Sequence, residues 1–180
     1  MDDLVKAAMA KWPNVPDCKG WLGLDERGDW YMRDDRVQAE GEFPQSKGAR
    51  IEHEALKAFI HRNYDADSMG QWFFQNGPQR VFVELANAPW VWRIDPANGL
   101  VASTGQPAGQ LLATVLDETG RLYVHATSGF GLVHSQDIWL ASEHLNQGDW
   151  PAPQHLKWDS LPHHFGFVRS PKNKKATRSN

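Results

Sequence analysis

Two histidines and a tyrosine recur within residues 123–134, a stretch that predicts a β-hairpin. If residues 128–129 form a two-residue turn, the returning strand places His134 opposite Tyr123, and both share a sheet face with His125. The two imidazoles would then be diagonal neighbours, and together with the phenol they could bind a metal or an anion or transfer a proton. A register shifted by one residue would put His134 on the other face and leave an ordinary half-exposed sheet surface.

A second candidate site is a polar turn between two predicted strands. Its Asn76-Gly77 pair is typical of a type I′ hairpin turn, in which both central residues have positive φ. Amide groups and a guanidinium around such a turn suit carboxylates, phosphates or a peptide backbone, although the same residues would also make a plain polar turn. The candidate ligand-binding side chains are Gln75, Asn76, Gln79 and Arg80.

Complete enzyme motifs are missing from the sequence. His53 and His61 lie on one predicted helix, about 12 Å apart along its axis, which is too far for two ligands of one ion, so we interpret both as solvent-exposed. Cys18 is the single cysteine, which excludes an intramolecular disulfide and the usual structural zinc sets. Because glycine-rich phosphate loops are also missing, we predict neither a metal nor a cofactor.

The rest of the sequence predicts the elements that must position these residues. Helical periodicity indicates helices over residues 2–11, 51–63 and 137–146, while short apolar runs between turn residues indicate strands. Most of the nine tryptophans fall in predicted strands, where large side chains pack well on a sheet. Strands and helices do not alternate, so the predicted fold is α+β: an aromatic-rich, mostly antiparallel sheet of short hairpins with two or three helices.

A short sequence repeat predicts one kind of turn at three places. Residues 24–31 (LDERGDWY) resemble residues 116–123 (LDETGRLY), and residues 67–73 form a looser third copy. Each copy enters the turn from an aspartate and needs glycine at a position with positive φ. The irregular spacing excludes a solenoid or propeller and favours a meander of antiparallel hairpins.

Charge is unevenly distributed along the chain. The net charge is −3, yet residues 169–180 contain five basic and no acidic residues, which leaves residues 1–168 clearly acidic. We predict a single globular domain over residues 1–168 and a disordered basic tail over residues 169–180. An acidic body repels a nucleic-acid backbone, which argues against nucleic acid as a partner beyond weak contacts of the tail. The lack of a signal peptide and of a membrane-length apolar run predicts a cytoplasmic protein that binds no membrane.

Residues 12–22 (WPNVPDCKGWL), 70–81 (GQWFFQNGPQRV) and 131–137 (GLVHSQD) carry a family resemblance. In these stretches, and over most of residues 1–168, the chain resembles an uncharacterised proteobacterial family of about this length. No activity is known for that family. The resemblance therefore implies a bacterial, cytoplasmic origin and no particular chemistry.

Two classes of function fit these observations. The first is a binding or regulatory module that holds a small polar ligand or a protein partner, on the sheet face or at the turn of residues 75–80. The second is a small hydrolase or metal-dependent enzyme that uses Tyr123, His125 and His134. Because no catalytic motif is complete, the module is the main prediction and the enzyme is the alternative.

Overall fold

Short apolar runs between glycine-containing turns fold into two six-stranded sheets, described by a computed structural model for residues 1–97 and 99–171. The strands of the first sheet are β1 (Cys18–Leu24), β2 (Trp30–Met32), β3 (Ala49–Arg50), β4 (Tyr64–Ala66), β5 (Trp72–Asn76) and β6 (Gln79–Leu85). Their order across the sheet is β3-β2-β1-β6-β5-β4. Neighbours in sequence pair antiparallel, as the hairpin signals predict, whereas β1 and β6 pair in parallel.

The second sheet is formed mainly by residues 90–133. Its strands are β7 (Trp90–Asp95), β8 (Gly99–Ala102), β9 (Leu111–Leu116), β10 (Leu122–Ala126), β11 (Gly129–Val133) and β12 (Gln154–His155). Their order is β12-β9-β10-β11-β7-β8. The parallel pairs β11–β7 and β12–β9 join segments that are distant in sequence, which local turn signals do not predict.

The described residues form five helices rather than the predicted two or three, and the α+β class is confirmed. The helices are α1 (Asp3–Lys11), α2 (Asp35–Glu40), α3 (Glu54–Arg62), α4 (Ile138–Gln147) and α5 (Leu161–Phe165). The unpredicted helices α2 and α5 contain six and five residues, too few to show a helical period. Within this described set, no helix is long and apolar enough to cross a membrane.

The helix α3 begins later than the periodicity predicts. His53 precedes it in an extended conformation, and its Nδ1 accepts a hydrogen bond from the Leu56 N–H at 3.3 Å, which caps the first turn. Ile51 lies outside the helix, is buried, and donates its N–H to the Trp30 carbonyl at 2.8 Å. This start places His61 in the last turn of the helix.

Two apolar clusters hold the layers together. The larger one joins both sheets to α3 and includes Val83 of β6, Tyr123 of β10 and Ile60. The smaller one joins the second sheet to α4 and includes Trp92 and Ala141. Because Trp92 is only 1% exposed, it contributes the large apolar burial that the tryptophan content predicts.

The three-copy repeat forms one turn three times, which confirms its prediction. In each copy the aspartate Oδ1 accepts hydrogen bonds at 2.8–3.0 Å from the backbone N–H groups two and four residues ahead. The glycine three residues after each aspartate has φ between +75° and +82°. The aspartates are Asp25, Asp67 and Asp117, and the glycines are Gly28, Gly70 and Gly120.

A buried polar network, which we call the Asn87 hub, comprises Asn87, Asp117, Tyr123, Trp158 and Arg169. The Asn87 Oδ1 accepts hydrogen bonds from the Trp158 Nε1 at 2.7 Å and from the Tyr123 hydroxyl at 3.3 Å, and its carbonyl accepts from the Arg169 Nε at 3.2 Å. The single Tyr123 hydroxyl proton is shared between that Asn87 oxygen and the Asp117 Oδ2, which lies closer, at 3.0 Å. The hub therefore fastens the C-terminal segment to the second sheet.

The predicted domain boundary after residue 168 falls inside this network. The Arg169 guanidinium lies 3.5 Å from the Trp158 ring centroid and donates to the Trp158 carbonyl at 2.6 Å. Its own carbonyl accepts the Leu85 N–H at 2.8 Å. Ordered contacts thus continue past residue 168, and the tail prediction for residues 172–180 lies outside the described residues.

Candidate functional site

The hairpin that carries the predicted His/Tyr cluster forms, but in a different register. Tyr123 lies opposite Leu132, and His125 lies opposite Phe130. The predicted pairing of Tyr123 with His134 is therefore wrong by two residues. A two-residue shift preserves the face of each side chain, but it leaves His134 beyond the end of β11.

The shift arises because residues 127 and 128, rather than 128 and 129, form the turn. The Thr127 N–H donates to the Gln110 carbonyl at 2.9 Å, and the Ser128 Oγ donates to the Ala108 carbonyl at 2.8 Å. These bonds fix the turn against the preceding loop. Gly129 then starts the returning strand with φ +136°, a value that side chains rarely adopt.

The three predicted site residues have separate surroundings. Tyr123 is fully buried in the Asn87 hub, and burial, followed by the nearby Asp117 charge, raises its pKa. The His125 ring packs against the edge of Phe165, with centroids 5.2 Å apart. The His134 Nδ1 accepts the backbone N–H two residues on at 3.1 Å and caps a short 3₁₀ turn. Tyr123 and His125 are linked only indirectly, through the stacked rings of Phe130 and Phe165, and the hydrogen bonds of Tyr123 and His134 go to different partners.

The polar turn at residues 75–80 is a hairpin, as predicted, but not of type I′. Asn76 pairs with Gln79, so Gly77 and Pro78 are the central residues. Gly77 has φ +57°, while no residue other than glycine has positive φ in the described structure. A turn centred on Asn76-Gly77 would require a ladder N–H from Pro78, which proline lacks.

The side chains of this turn bind neighbouring parts of the protein. The Gln75 side chain is buried, and its Nε2 donates to the carbonyl of residue 77 at 2.9 Å. The Gln79 Nε2 donates to the Pro16 carbonyl at 3.0 Å, and the Arg80 guanidinium lies 4.9 Å from the Phe73 ring centroid. The turn leaves Asn76 exposed, while the side chains of Gln75, Gln79 and Arg80 already contact neighbouring groups.

A polar cleft that the sequence analysis missed lies between the first repeat turn, α3 and the edge of the second sheet. Its volume is about 460 Å³. Four cationic and two anionic side chains line it, although the protein as a whole has a net charge of −3, and we therefore call it the cationic cleft. The lining side chains are those of Arg27, Asp29, Glu54, Lys57, His61, Arg62, Arg93, Ser103, Thr104 and Gln106.

Local structure explains how separate segments reach this cleft. The first repeat turn presents Arg27, and its Gly28 packs so closely on Ser103 that an added Cβ would come within 2.6 Å of the serine Oγ. Lys57 and His61 occupy positions i and i+4 of α3 and so share one face of the helix. The glycine therefore brings the first sheet against the loop that follows β8.

Carboxylates outside the lining fix two of the arginines. The Arg93 Nε and Nη2 donate to Asp137 at 2.6 and 3.2 Å, and the Arg62 Nε and Nη2 bond Asp2 at 3.2–3.3 Å. In both arginines the Nη1 has no hydrogen-bond partner among residues 1–97 and 99–171, and the same holds for the whole guanidinium of exposed Arg27. The cleft thus keeps spare donors on two oriented arginines and on the unpaired Arg27.

Arg93 and Asp137 form an ion pair in which each group stabilises the charged form of the other. Burial alone would raise the pKa of Asp137, but the hydrogen bonds from Arg93 and from the Ile94 N–H hold it below its ordinary value. The same hydrogen bond raises the pKa of Arg93. Both groups therefore stay charged at neutral pH, and the guanidinium is held in place by a carboxylate that is itself 8% exposed.

His61 is partly buried and hydrogen-bonded, contrary to the expectation that it is solvent-exposed. Its Nε2 accepts a hydrogen bond from the indole Nε1 of buried Trp30 at 2.7 Å. Burial, followed by the charge of Lys57, lowers the pKa of His61 to about 4. The imidazole is consequently neutral at physiological pH.

The spacing of the lining residues along the chain gives almost no indication of this cleft. Its residues come from four separate segments, and their one shared pattern is the i, i+4 relation of Lys57 and His61. In the part of the chain that the structure describes, no group of three or more His, Cys, Asp or Glu side chains is placed to hold a metal ion. The cleft is therefore defined by hydrogen-bond donors rather than by metal ligands.

These features define an α+β protein of two mixed sheets with a donor-rich cleft beside the first repeat turn. The chain belongs to a family described as "Protein of unknown function (DUF2946)", which matches residues 1–172. The resemblance to an uncharacterised family is thereby confirmed. No curated protein matches the chain significantly.

Two solved structures show a distant likeness. A DUF1285 family protein from Silicibacter pomeroyi DSS-3 is 13% identical over 79% of this chain and 84% of its own, with a TM-score of 0.48. A DUF1285 family protein from Shewanella baltica OS155 is 14% identical over 73% of this chain and 97% of its own, with a TM-score of 0.49. At these values neither likeness supports an argument about function.

Proposed function

We propose that the protein is a binding module for a small oxyanion, a phosphate or carboxylate compound, held in the cationic cleft. The observation that carries this proposal is the excess of oriented, unsatisfied donors in a cleft of about 460 Å³. That volume falls within the range of small-molecule sites. Oxyanions accept several hydrogen bonds at once and are the ligands that arginine forks recognise best.

The charges of the lining support an anion rather than a cation. The two lining carboxylates are already engaged, because Asp29 faces Arg50 at 3.4 Å and Glu54 faces Lys57 at 2.6 Å. Arg27, by contrast, has no such pair in the described structure. A cation would therefore meet two carboxylates that are already paired, whereas an anion would meet the unpaired Arg27 guanidinium and the Nη1 groups that Arg62 and Arg93 leave unused.

The way in which the arginines are held also favours binding. The Asp2 and Asp137 carboxylates use part of each guanidinium and restrict its orientation. Less side-chain entropy is then lost when a ligand binds. The hydroxyls of Ser103 and Thr104 add neutral donors to the same cleft. The site would thus combine charge with preset geometry.

The hydrolase alternative receives less support. It requires Tyr123 and two histidines in one cluster, but the Tyr123 hydroxyl is occupied by Asp117 and Asn87. Its raised pKa also disfavours proton transfer near neutral pH. A binding role therefore fits the arrangement better, and a protein partner, a bacterial origin and a cytoplasmic location stay predictions.

The experiment is calorimetric titration at low ionic strength with inorganic phosphate and, separately, with succinate. We expect at least one of them to bind, and Arg27→Ala to weaken it about tenfold. The matched control is Arg80→Ala, which removes an arginine from the predicted polar turn and should change affinity by less than about twofold. The stronger ligand identifies the oxyanion class. Binding of neither anion, or a loss confined to Arg80→Ala, would disprove the assignment.

A further inference from the structure

The hydrogen bond between Trp30 and His61 fixes the protonation state of the histidine. An indole N–H can only donate, so the His61 Nε2 that lies 2.7 Å from the Trp30 Nε1 must offer a lone pair. A neutral imidazole carries one proton, which must then be on Nδ1. Residues 1–97 and 99–171 provide no hydrogen-bond acceptor for that Nδ1–H.

We infer that His61 is a specificity-determining residue of the cationic cleft, which it serves as an uncharged Nδ1–H donor, and that Trp30 is the positioning residue that sets this tautomer. The role in ligand recognition rests on the proposed oxyanion function, whereas the tautomer does not. Because the donor carries no charge, it recognises an oxygen acceptor without adding to the charge of the site. The ligand class is therefore an oxyanion whose oxygen reaches the helix α3 wall.

The Trp30 side chain is well placed to impose this state. It is 1% exposed and belongs to the cluster that joins both sheets to α3. The Tyr64 ring meets it edge-on at 5.3 Å, and the Tyr64 hydroxyl is itself anchored to the Pro89 carbonyl at 3.0 Å. An indole held in this way cannot turn aside, so the bond to His61 persists unless the core rearranges.

Several groups around His61 disfavour its protonation. A proton on Nε2 would replace the bond with two opposed N–H groups and would leave a charge half buried near Lys57. Glu54 on the same helix acts in the opposite direction, but it is weaker than the other effects. The other charged groups that line the same cleft are Arg27 and Asp29 of the first turn, Arg62 of α3 and Arg93 of β7.

The consequence is a ligand affinity that does not depend on the charge of this histidine. Sulfate is the suitable probe, because it stays dianionic between pH 5 and pH 8. We expect wild-type affinity for sulfate to change by less than about twofold over this range, since an ordinary histidine would titrate near 6.5 within it. In Trp30→Phe the Nε2 is released, and affinity should rise about tenfold as the pH falls from 7.5 to 5.5, because the histidine can now become cationic.

The tautomer is tested separately, on the wild-type protein without any ligand. Nitrogen-detected imidazole NMR from pH 5 to 8 should show His61 as the Nδ1–H form throughout. An Nε2–H form, or a titration near 6.5, would overturn the inference even if sulfate binds. If the NMR result is as expected but sulfate, phosphate and succinate all fail to bind, the proposed function fails and the claimed role in recognition fails with it, while the tautomer stands.

Two substitutions of His61 test its donor directly. Asparagine places an amide N–H near the position of Nδ1, so His61→Asn should keep sulfate affinity within about threefold, whereas His61→Leu should weaken it about tenfold. Both variants leave the Trp30 N–H without its acceptor, so their loss of stability is matched. Equal affinities of the two variants would refute the donor role. This comparison also stands if Trp30→Phe does not fold.

Discussion

The cationic cleft and the Asn87 hub are both polar, and both contain one copy of the same aspartate-glycine turn. In the hub, Asp117 accepts from two backbone N–H groups, the Thr119 hydroxyl and Tyr123, so its oxygens are well supplied. In the cleft, the Arg27 guanidinium has no hydrogen-bond or ion-pair partner among the described residues, although the Arg27 backbone N–H donates to Asp25. The difference shows that unused hydrogen-bonding capacity, rather than residue type, distinguishes a candidate site from a structural network.

The tyrosine that follows each turn illustrates the same contrast. Tyr123 is fully buried and donates to Asp117, which closes the hub. Tyr31 is only half-buried and donates to the Asp25 Oδ2 at 3.2 Å, an oxygen that also accepts from Lys47 at 2.7 Å. Equivalent positions of the repeat thus form a closed network in one turn and a more open one in the neighbouring turn.

The largest expected effect is the loss of Asp117 from the hub. Asp117→Ala should lower the free energy of unfolding by about 3 kcal/mol, because it removes the acceptor of two turn N–H groups and leaves the buried Tyr123 hydroxyl only its longer bond to Asn87. The matched control is Asp67→Ala in the third copy of the turn, whose oxygens serve no buried tyrosine, and it should cost about 1 kcal/mol. Urea denaturation measures both. Equal losses would mean that the hub adds nothing to the turn.

The next effect compares the glycines of the two regions. Gly28→Ala in the cleft and Gly120→Ala in the hub each force an alanine to φ near +80°, at a cost of about 1 kcal/mol. Around Gly120 there is open space, but an added Cβ at Gly28 meets Ser103. Gly28→Ala should therefore lose about 1–2 kcal/mol more.

Thermal denaturation of these two variants checks the difference, and sulfate titration provides a second measurement. The new methyl group should push Ser103 out of position, so of the two variants only Gly28→Ala should lower the affinity of the cleft for sulfate. If both variants melt together and bind alike, the close contact between the first sheet and the Ser103 loop is not important for the site.

The cleft and the hub should lose their contributions to stability in different pH ranges. Because the pKa of His61 is lowered to about 4 by folding, the unfolded chain binds the proton first, and stability is lost as the pH falls from about 6.5 towards 4. Burial alone would raise the pKa of Asp117, but its hydrogen bonds, led by that from Thr119, lower it overall. The hub contribution is therefore lost only at lower pH, as the carboxylate protonates below its ordinary value of 3.8.

Melting temperatures of the wild type, His61→Asn and Asp117→Asn between pH 7 and pH 3 test this order. His61→Asn should flatten the curve between pH 6.5 and 4, and Asp117→Asn should flatten it only below that range. A wild-type curve that already matches His61→Asn above pH 4 would show that the histidine does not titrate with folding.

The sequence predicts local features of this protein well. The three turns were predicted because their signals, aspartate and glycine at fixed offsets, act within a few residues. The hairpin of residues 75–80 was predicted from its Asn-Gly pair, but its turn is centred one residue later, on Gly77 and Pro78. The register of the hairpin formed by β10 and β11 was not predicted correctly, because its turn at residues 127–128 is fixed by hydrogen bonds to the loop of residues 108–110. A register is decided by such distant contacts as much as by the turn sequence.

The cleft was beyond prediction for a related reason. Trp30 and His61 are 31 positions apart, and Arg93 and Asp137 are 44 apart, so no periodic pattern links them. On the helix alone, His61 falls on a polar face and looks exposed. Only the packing of β2 against α3 makes it an acceptor for a buried indole.

The smallest expected effect concerns Glu26, which lies between the two regions. Its carboxylate is 3.7 Å from the Arg121 Nη2 and 3.5 Å from the Asn87 Nδ2, yet its side chain is 53% exposed. Exposed pairs of this kind are worth little, so Glu26→Gln should change the free energy of unfolding by less than about 0.5 kcal/mol. Removal of a negative charge beside Arg27 should raise sulfate affinity slightly at low ionic strength, and added salt should abolish the gain. If Glu26→Gln costs more than about 1 kcal/mol instead, the hub extends to the surface and the division between a closed network and an open cleft is wrong.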